Sequence, residues 1–309
     1  MFYTTIEKKN IEIISKFPYK VGIVVFMAFP ELSKSDEGAA EKIKILVDDK
    51  FFDLLELPWI NDTEWNKLKE YVEKTGRRID FSMGLQLQVL VQKYNPSAVN
   101  EEERKKAEEV LVKGVEVAGK RGMKAVALCS GPYVEAEKDK AVQAFIKTVS
   151  AMAKKALEYN IPIFVETFDY QWDKKRLLGP IDFSAKVVEE IRASYKNVYL
   201  MWDLSHGPLL GEKPEDIKPY ADLLGHIHIG CAKKVGDKLY DWHPGFYRPG
   251  ALNTEKDVAK LLEVLHDIKY RGAVSFEVKP EEGQHPLEVV NAAKGVLIRA
   301  YEIFLESRL

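Results

Sequence analysis

Short, nearly continuous apolar runs alternate along the chain with longer segments in which apolar residues recur every three or four positions. The runs are YKVGIVVFM (19–27), FDLLELP (52–58), RIDFSMGL (78–85), KAVALCS (124–130), IPIFVETFD (161–169), NVYLMWDLS (197–205), GHIHIGCA (225–232) and AVSFEVKP (273–280). The segments with helical spacing cover 38–50, 63–75, 100–121, 138–159, 183–194, 214–224, 254–268 and 286–307. An unbroken apolar run is what a parallel strand covered on both faces requires, and a helix with one polar face suits an outer ring. Eight such units with no break point predict an α/β fold, a single closed (β/α)8 TIM barrel over 1–309, rather than an open doubly wound sheet. Residues 1–17 are expected to add a short helical extension. Thr63 and Thr254 read as helix N-caps, with Asn253 an alternative at the second; Gly76, Gly122 and Gly272 read as helix C-caps.

Composition narrows the class without changing the fold. At 309 residues and 46% hydrophobic, the chain can fill a large core. The 46 Lys and Arg nearly balance the 48 Asp and Glu, for a net charge of −2, so no global basic field invites nucleic acid. Cys129 and Cys231 are too few for a disulfide framework or a cysteine-ligated zinc module, and they suit a reducing cytoplasmic setting. The first residues lack the apolar core of a signal peptide, and the apolar run 21–30 is about half of what a membrane helix needs. A cytoplasmic protein without a membrane partner is therefore expected.

Barrels of this kind carry their chemistry at the carboxyl ends of the strands. There the fifth run carries Glu166, the sixth Asp203, the seventh His228 and the eighth Glu277. A carboxylate set in an apolar strand is costly unless it is paired, hydrogen-bonded or metal-bound. Three carboxylates and one imidazole on four consecutive strands suit one divalent metal, Mn²⁺, Mg²⁺ or Co²⁺ in preference to Zn²⁺. His226, two residues before His228, faces the same side one layer deeper and reads as a hydrogen-bonded core histidine. His206, Asp241 and His243 form a second candidate cluster, able to hold a second metal or to orient a substrate. Softer candidates for substrate contact are Glu56 and Trp59 at the end of the second strand, Trp242 beside His243, and Lys279 two residues past Glu277.

With these residues in view, PIFVETFD, LMWDLSHGPL, GHIHIGCA, DWHPGFYRPGALN and AVSFEVKP resemble the xylose isomerase-like barrel superfamily. That group includes ketose 3-epimerases, hydroxypyruvate isomerases, inosose dehydratases and, more distantly, apurinic endonucleases. FDLLEL (52–57) is similar to its second strand, and DKKRLLGP (173–180) to a loop found in its sugar isomerase-like members. The resemblance implies that Glu166, Asp203, His228 and Glu277 bind one metal. It also implies that the two glutamates act as an acid/base pair on either face of an enediolate. His206 matches a position that touches substrate in the epimerases and binds zinc in the endonucleases.

The sequence also departs from that pattern. No histidine precedes His206, so the further amino-terminal zinc ligands of the endonucleases are missing, and DNA is not the expected partner. Trp172 stands where the epimerases carry a glutamate. The arginine they place after the seventh strand is replaced by GCAKKV, which leaves Lys233, Lys234 or Arg248 for that role. The expectation is a metal-dependent isomerase or epimerase of a sugar, keto-sugar or polyol in carbohydrate metabolism, working by proton transfer next to a metal-bound carbonyl. Two alternatives remain open: dehydration of an inosose-type substrate by the same enolisation, and hydrolysis with a second metal at His206, Asp241 and His243. Members of the superfamily often form dimers or tetramers, so the resemblance also implies a homo-oligomer.

Overall fold

A computed structural model describes residues 2–8 and 11–308. The chain opens with β1 (Tyr3–Lys8) and β2 (Ile11–Lys16), paired antiparallel with Ile6 opposite Ile13 and Thr4 opposite Ser15. This ribbon replaces the helical extension expected for 1–17. The cause lies in the local period: Phe2, Thr4 and Ile6 are buried while Tyr3, Thr5 and Glu7 are exposed, an alternation of two that only an extended chain presents on one face. The ribbon packs on the last helix (Pro286–Glu306), where Thr4 Oγ1 donates to Glu302 at 2.9 Å and the Tyr301 hydroxyl donates to the Lys16 carbonyl at 2.9 Å.

The eight apolar runs form eight strands: β3 (Lys20–Val24), β4 (Leu54–Pro58), β5 (Asp80–Gly84), β6 (Val126–Cys129), β7 (Ile163–Glu166), β8 (Val198–Asp203), β9 (Leu224–Ile229) and, after a small ribbon of β10 (Lys233–Val235) and β11 (Lys238–Tyr240), β12 (Ala273–Phe276). They pair in parallel and in chain order, and β12 closes the barrel by pairing with both β9 and β3. Outward residues such as Ile227, Ile229, Val274 and Phe276 are almost fully buried beneath the helices, which explains the unbroken apolar runs. Inward, the barrel is lined in part by small side chains. A Cβ on Gly22 would fall 2.1 Å from Ser275 Oγ, so glycine there is set by close approach. No helix among the described residues is long and apolar enough to cross a membrane.

Several boundaries differ from the sequence reading. β3 stops at Val24, and the apolar run continues as a helical turn, Val25–Ala28. Segment 214–224 forms a 3₁₀ helix, Pro214–Leu223, because Pro219 lacks the N–H that a regular helix needs and Tyr220 leaves helical geometry. Thr254 caps the helix Glu255–Asp267 in a reciprocal capping box with Asp257. Thr63 caps nothing: Asn61 caps the helix Asp62–Thr75, accepting from the Glu64 N–H at 3.0 Å. Gly76 and Gly122 take the left-handed conformation after their helices, whereas before β12 Lys269 takes it and Gly272 does not.

This capping assignment is tested by stability. Asn61→Ala is expected to cost about 1 kcal/mol in chemical denaturation, while exposed Thr63→Ala stays within about 0.5 kcal/mol of the parent.

Candidate active site

Each candidate ligand stands where an inward strand position meets the barrel mouth. Glu166 and Asp203 end β7 and β8, His228 lies opposite Asp203 in the β8/β9 register, and Glu277 follows β12 two residues after Ser275, the partner of His228. One ligand atom from each of the four lies within 4.8 Å of the others. His228 Nδ1 is 2.7 Å from Glu277 Oε2, 3.6 Å from Glu166 Oε1 and 3.9 Å from Asp203 Oδ2. The far sides of these groups are held. Gln86 Nε2 donates to Glu166 Oε2 at 2.8 Å, and the Ser205 N–H donates to Asp203 Oδ1 at 2.6 Å. His228 Nε2 donates to Glu56 Oε2 at 3.1 Å, which leaves the Nδ1 edge turned toward the three carboxylates.

Two buried oxygens in this cluster, Glu166 Oε1 and Asp203 Oδ2, have no hydrogen-bond partner. Buried carboxylate oxygens without partners are expensive, and these two converge with a histidine nitrogen on one point. An oxygen-rich donor set with one imidazole fits a divalent cation of hard or borderline character. Glu166, Asp203, His228 and Glu277 could hold it.

The second cluster is organised differently from a ligand set. His206 Nδ1 donates to the Thr167 carbonyl at 2.6 Å and its Nε2 lies 3.2 Å from Asp241 Oδ1. His243 Nε2 lies 2.6 Å from the same oxygen, and its Nδ1 faces Ser205 Oγ at 3.2 Å. Asp241 thus bridges the two imidazoles, and all four ring nitrogens have partners. Of the three, His206 and His243 also group with Asp203 as a geometric alternative for a cation. Lys174 closes over Asp241, its Nζ 2.8 Å from the Asp241 carbonyl and 2.7 Å from Asp173 Oδ2.

Burial and charge give these acids different protonation behaviour. Burial pushes Glu277 up to about 7; the nearby imidazoles of His243 and His228 pull against it, and the Glu166 carboxylate adds to it. For Asp241 burial acts the same way but is outweighed by His243, His206 and Lys174, which hold it well below the usual carboxylate range. Burial disfavours the charged form of His206, yet Asp241 and Asp203 raise it well above an ordinary imidazole. His243 is raised to about 9: burial opposes the charge, and Glu277 and Asp241 overcome it.

The softer candidates separate. A cavity of about 500 Å³ at the mouth is lined by Glu166, Glu277, Asp241, His243, Trp242 and Lys279. Glu56 lies below it inside the barrel, joined to His226 at 2.8 Å as well as to His228. Together with His226 it lines a separate cavity of about 690 Å³ at the amino ends of the strands. Trp59 packs half-buried against the hydrophobic core, and Arg248 is held by Glu281 at 2.8 Å, so neither lines the mouth. Sequence reasoning did not single out Gln86, Thr167, Lys174, Arg176 or Ser205. Gln86 carried a usable signal, two residues beyond a strand end, and Lys174 and Arg176 sit in the DKKRLLGP loop. The roles of Thr167 and Ser205 depend on contacts with distant residues.

Comparison with known proteins agrees with this architecture. Residues 44–298 match the family model described as xylose isomerase-like TIM barrel, and the chain belongs to that family. Among solved structures it is similar to an L-ribulose 3-epimerase, at 20% identity over 94% of this chain and 95% of that one, with a TM-score of 0.69. It is also similar to the IOLI protein with a bound zinc atom, at 14% identity over 92% and 99% of the two chains and a TM-score of 0.66. A family 2 AP endonuclease from Brucella melitensis shares 16% identity over 89% of this chain and 98% of its own, with a TM-score of 0.67. At such identities the likeness shows a shared fold. No curated protein matches the chain.

The link from Glu56 to His228 is checked by metal titration. Glu56→Ala is expected to lower divalent-metal affinity by about 10- to 100-fold, because a second partner no longer fixes the tautomer and orientation of His228.

Proposed function

We propose that this protein is a divalent-metal-dependent isomerase or epimerase of a sugar, keto-sugar or polyol, with Mn²⁺, Mg²⁺ or Co²⁺ held by Glu166, Asp203, His228 and Glu277. The observation that carries the reading is the convergence of two partnerless buried carboxylate oxygens, Glu166 Oε1 and Asp203 Oδ2, on the Nδ1 edge of His228 beside a substrate-sized cavity. A cation bound there would polarise a ketose carbonyl and its neighbouring hydroxyl and so acidify the C–H between them.

The side chains account for the rest of the chemistry. Glu277, lining the cavity beside the proposed cation, presents a carboxylate that can take a proton from carbon and return it. Glu166, fixed by Gln86, presents a second carboxylate to the same cavity for transfer on the opposite face. The Asp241 bridge fixes the His206 and His243 rings beside the mouth, where they brace the wall of the site. Among the described residues the partnerless buried carboxylate oxygens are those of Glu166 and Asp203 and none belongs to Asp241, which favours one metal over the two that hydrolysis would use. Loss of a β-hydroxyl after the same deprotonation remains a variant of this chemistry. Two free, buried cysteines support a cytoplasmic setting.

Incubation with a ketose and keto-polyol panel in D₂O tests the reading, together with metal analysis. One divalent ion per chain and deuterium entering a C–H next to a carbonyl are expected. A chelator should abolish the exchange, and added Mn²⁺ should restore it. Glu277→Gln should slow exchange by about 10²- to 10⁴-fold, with metal content measured in parallel to separate proton transfer from metal loss. Two or more zinc ions with no exchange would replace this reading with hydrolysis.

A further inference from the structure

Arg176 is the most buried cation of the mouth that the proposed chemistry leaves unused. The residue is 9% exposed and lines the same cavity as Glu166 and Glu277. Its Nε is buried without a hydrogen-bond partner, and its guanidinium makes no ion pair or side-chain hydrogen bond among the described residues. The backbone holds it in place: Arg176 bridges to Pro132, its N–H donates to the Asp169 carbonyl at 2.8 Å, and Leu177 N–H donates to Gly131 at 2.9 Å. The guanidinium lies close enough to the thiol of Cys129, the β-ladder partner of Glu166, for its charge to act there.

The other acids of the cavity are already committed. Asp173 holds Lys174, Asp241 bridges the imidazoles, and Glu166 and Glu277 belong to the metal set. Lys279 lines the same cavity, is exposed and likewise forms no ion pair among the described residues. The mouth therefore retains an uncompensated, nine-tenths buried guanidinium with a second cation at its rim. A buried charge is kept at such a place when something supplies the counter-charge, and the planar fork of arginine matches carboxylate and phosphate oxygens in pairs.

We propose that Arg176 anchors an oxyanion carried by the substrate, so that this site takes a sugar acid or a sugar phosphate in preference to a neutral sugar. The inference rests on the isomerase or epimerase reading of the cavity and adds its substrate class. Arg176 is then a specificity residue that works at the non-reacting end of the substrate, and Lys279 adds charge at the entrance.

Calorimetric titration of the metal-loaded full chain tests this with two matched pairs, D-ribulose against D-ribulose 5-phosphate and L-sorbose against 5-keto-D-gluconate. At least one anionic member is expected to bind about tenfold or more tightly than its neutral partner, the worth of a charge-assisted hydrogen bond. Preference in the first pair alone assigns a phosphate, in the second alone a carboxylate, and in both a general oxyanion site. Arg176→Gln should abolish the preference while metal content stays unchanged, and Arg176→Lys should keep part of it. Equal binding of anionic and neutral members, or a preference that survives Arg176→Gln, overturns the proposal. The wild-type comparison decides alone if the variant unfolds. Deuterium exchange separates the two levels: exchange on neutral ketoses with no anion preference removes the oxyanion site only. An Arg176-dependent preference without exchange on any compound removes the isomerase reading and leaves the oxyanion site.

Discussion

Five carboxylates, those of Glu56 inside the barrel and of Glu166, Asp203, Asp241 and Glu277 at its mouth, are each at least 92% buried, and the electrostatic cost of that arrangement governs the site. Removing an ion from water costs several kcal/mol even after relaxation, so every one of these groups needs compensation. His228 supplies it in two directions, holding Glu56 inside the barrel through Nε2 and facing the mouth carboxylates through Nδ1. A register shift of β9 against β8 and β12 would undo both contacts at once, because the pairing of His228 with Asp203 and Ser275 sets where its ring points. Closure of the barrel and assembly of the candidate metal set are therefore one geometric event.

Compensation also sorts the acids by role. Asp241 is surrounded by His206, His243 and Lys174 and stays ionised, so it works as a brace. Glu277 has burial and a neighbouring carboxylate against it, which raise it far above Asp241. Chemically alike side chains are separated by their surroundings, and the separation marks the acid/base candidate.

An L-ribulose 3-epimerase, the zinc-bound IOLI protein and an AP endonuclease share this architecture at 14–20% identity. The barrel alone thus leaves chemistry open, and the argument for function has to come from the mouth. There the cluster of Glu166, Asp203, His228 and Glu277, the braced imidazole pair and the unpaired Arg176 favour a small, oxygen-rich substrate.

Much of this was legible along the chain. The eight strands announced themselves because burial on both faces forces unbroken apolar runs, and a polar residue at the end of such a run has little reason to be there except chemistry. That logic found Glu166, Asp203, His228 and Glu277. It failed where the information is not local. Residues 1–17 carry a two-residue alternation that was read as helix, Thr63 looked as good a cap as Asn61, and Trp59 and Arg248 sit near the mouth in sequence but pack elsewhere. The sequence by itself determined the strand–helix order, the barrel and the identity of the strand-end acids, since these follow from periodicity and side-chain chemistry. Only the tertiary structure decided that Glu56 braces His228 from below, that Asp241 joins two histidines 37 residues apart, and that Arg176 is left buried without a counter-ion. Those outcomes depend on which distant groups share a low-dielectric space, and that is fixed by packing in three dimensions.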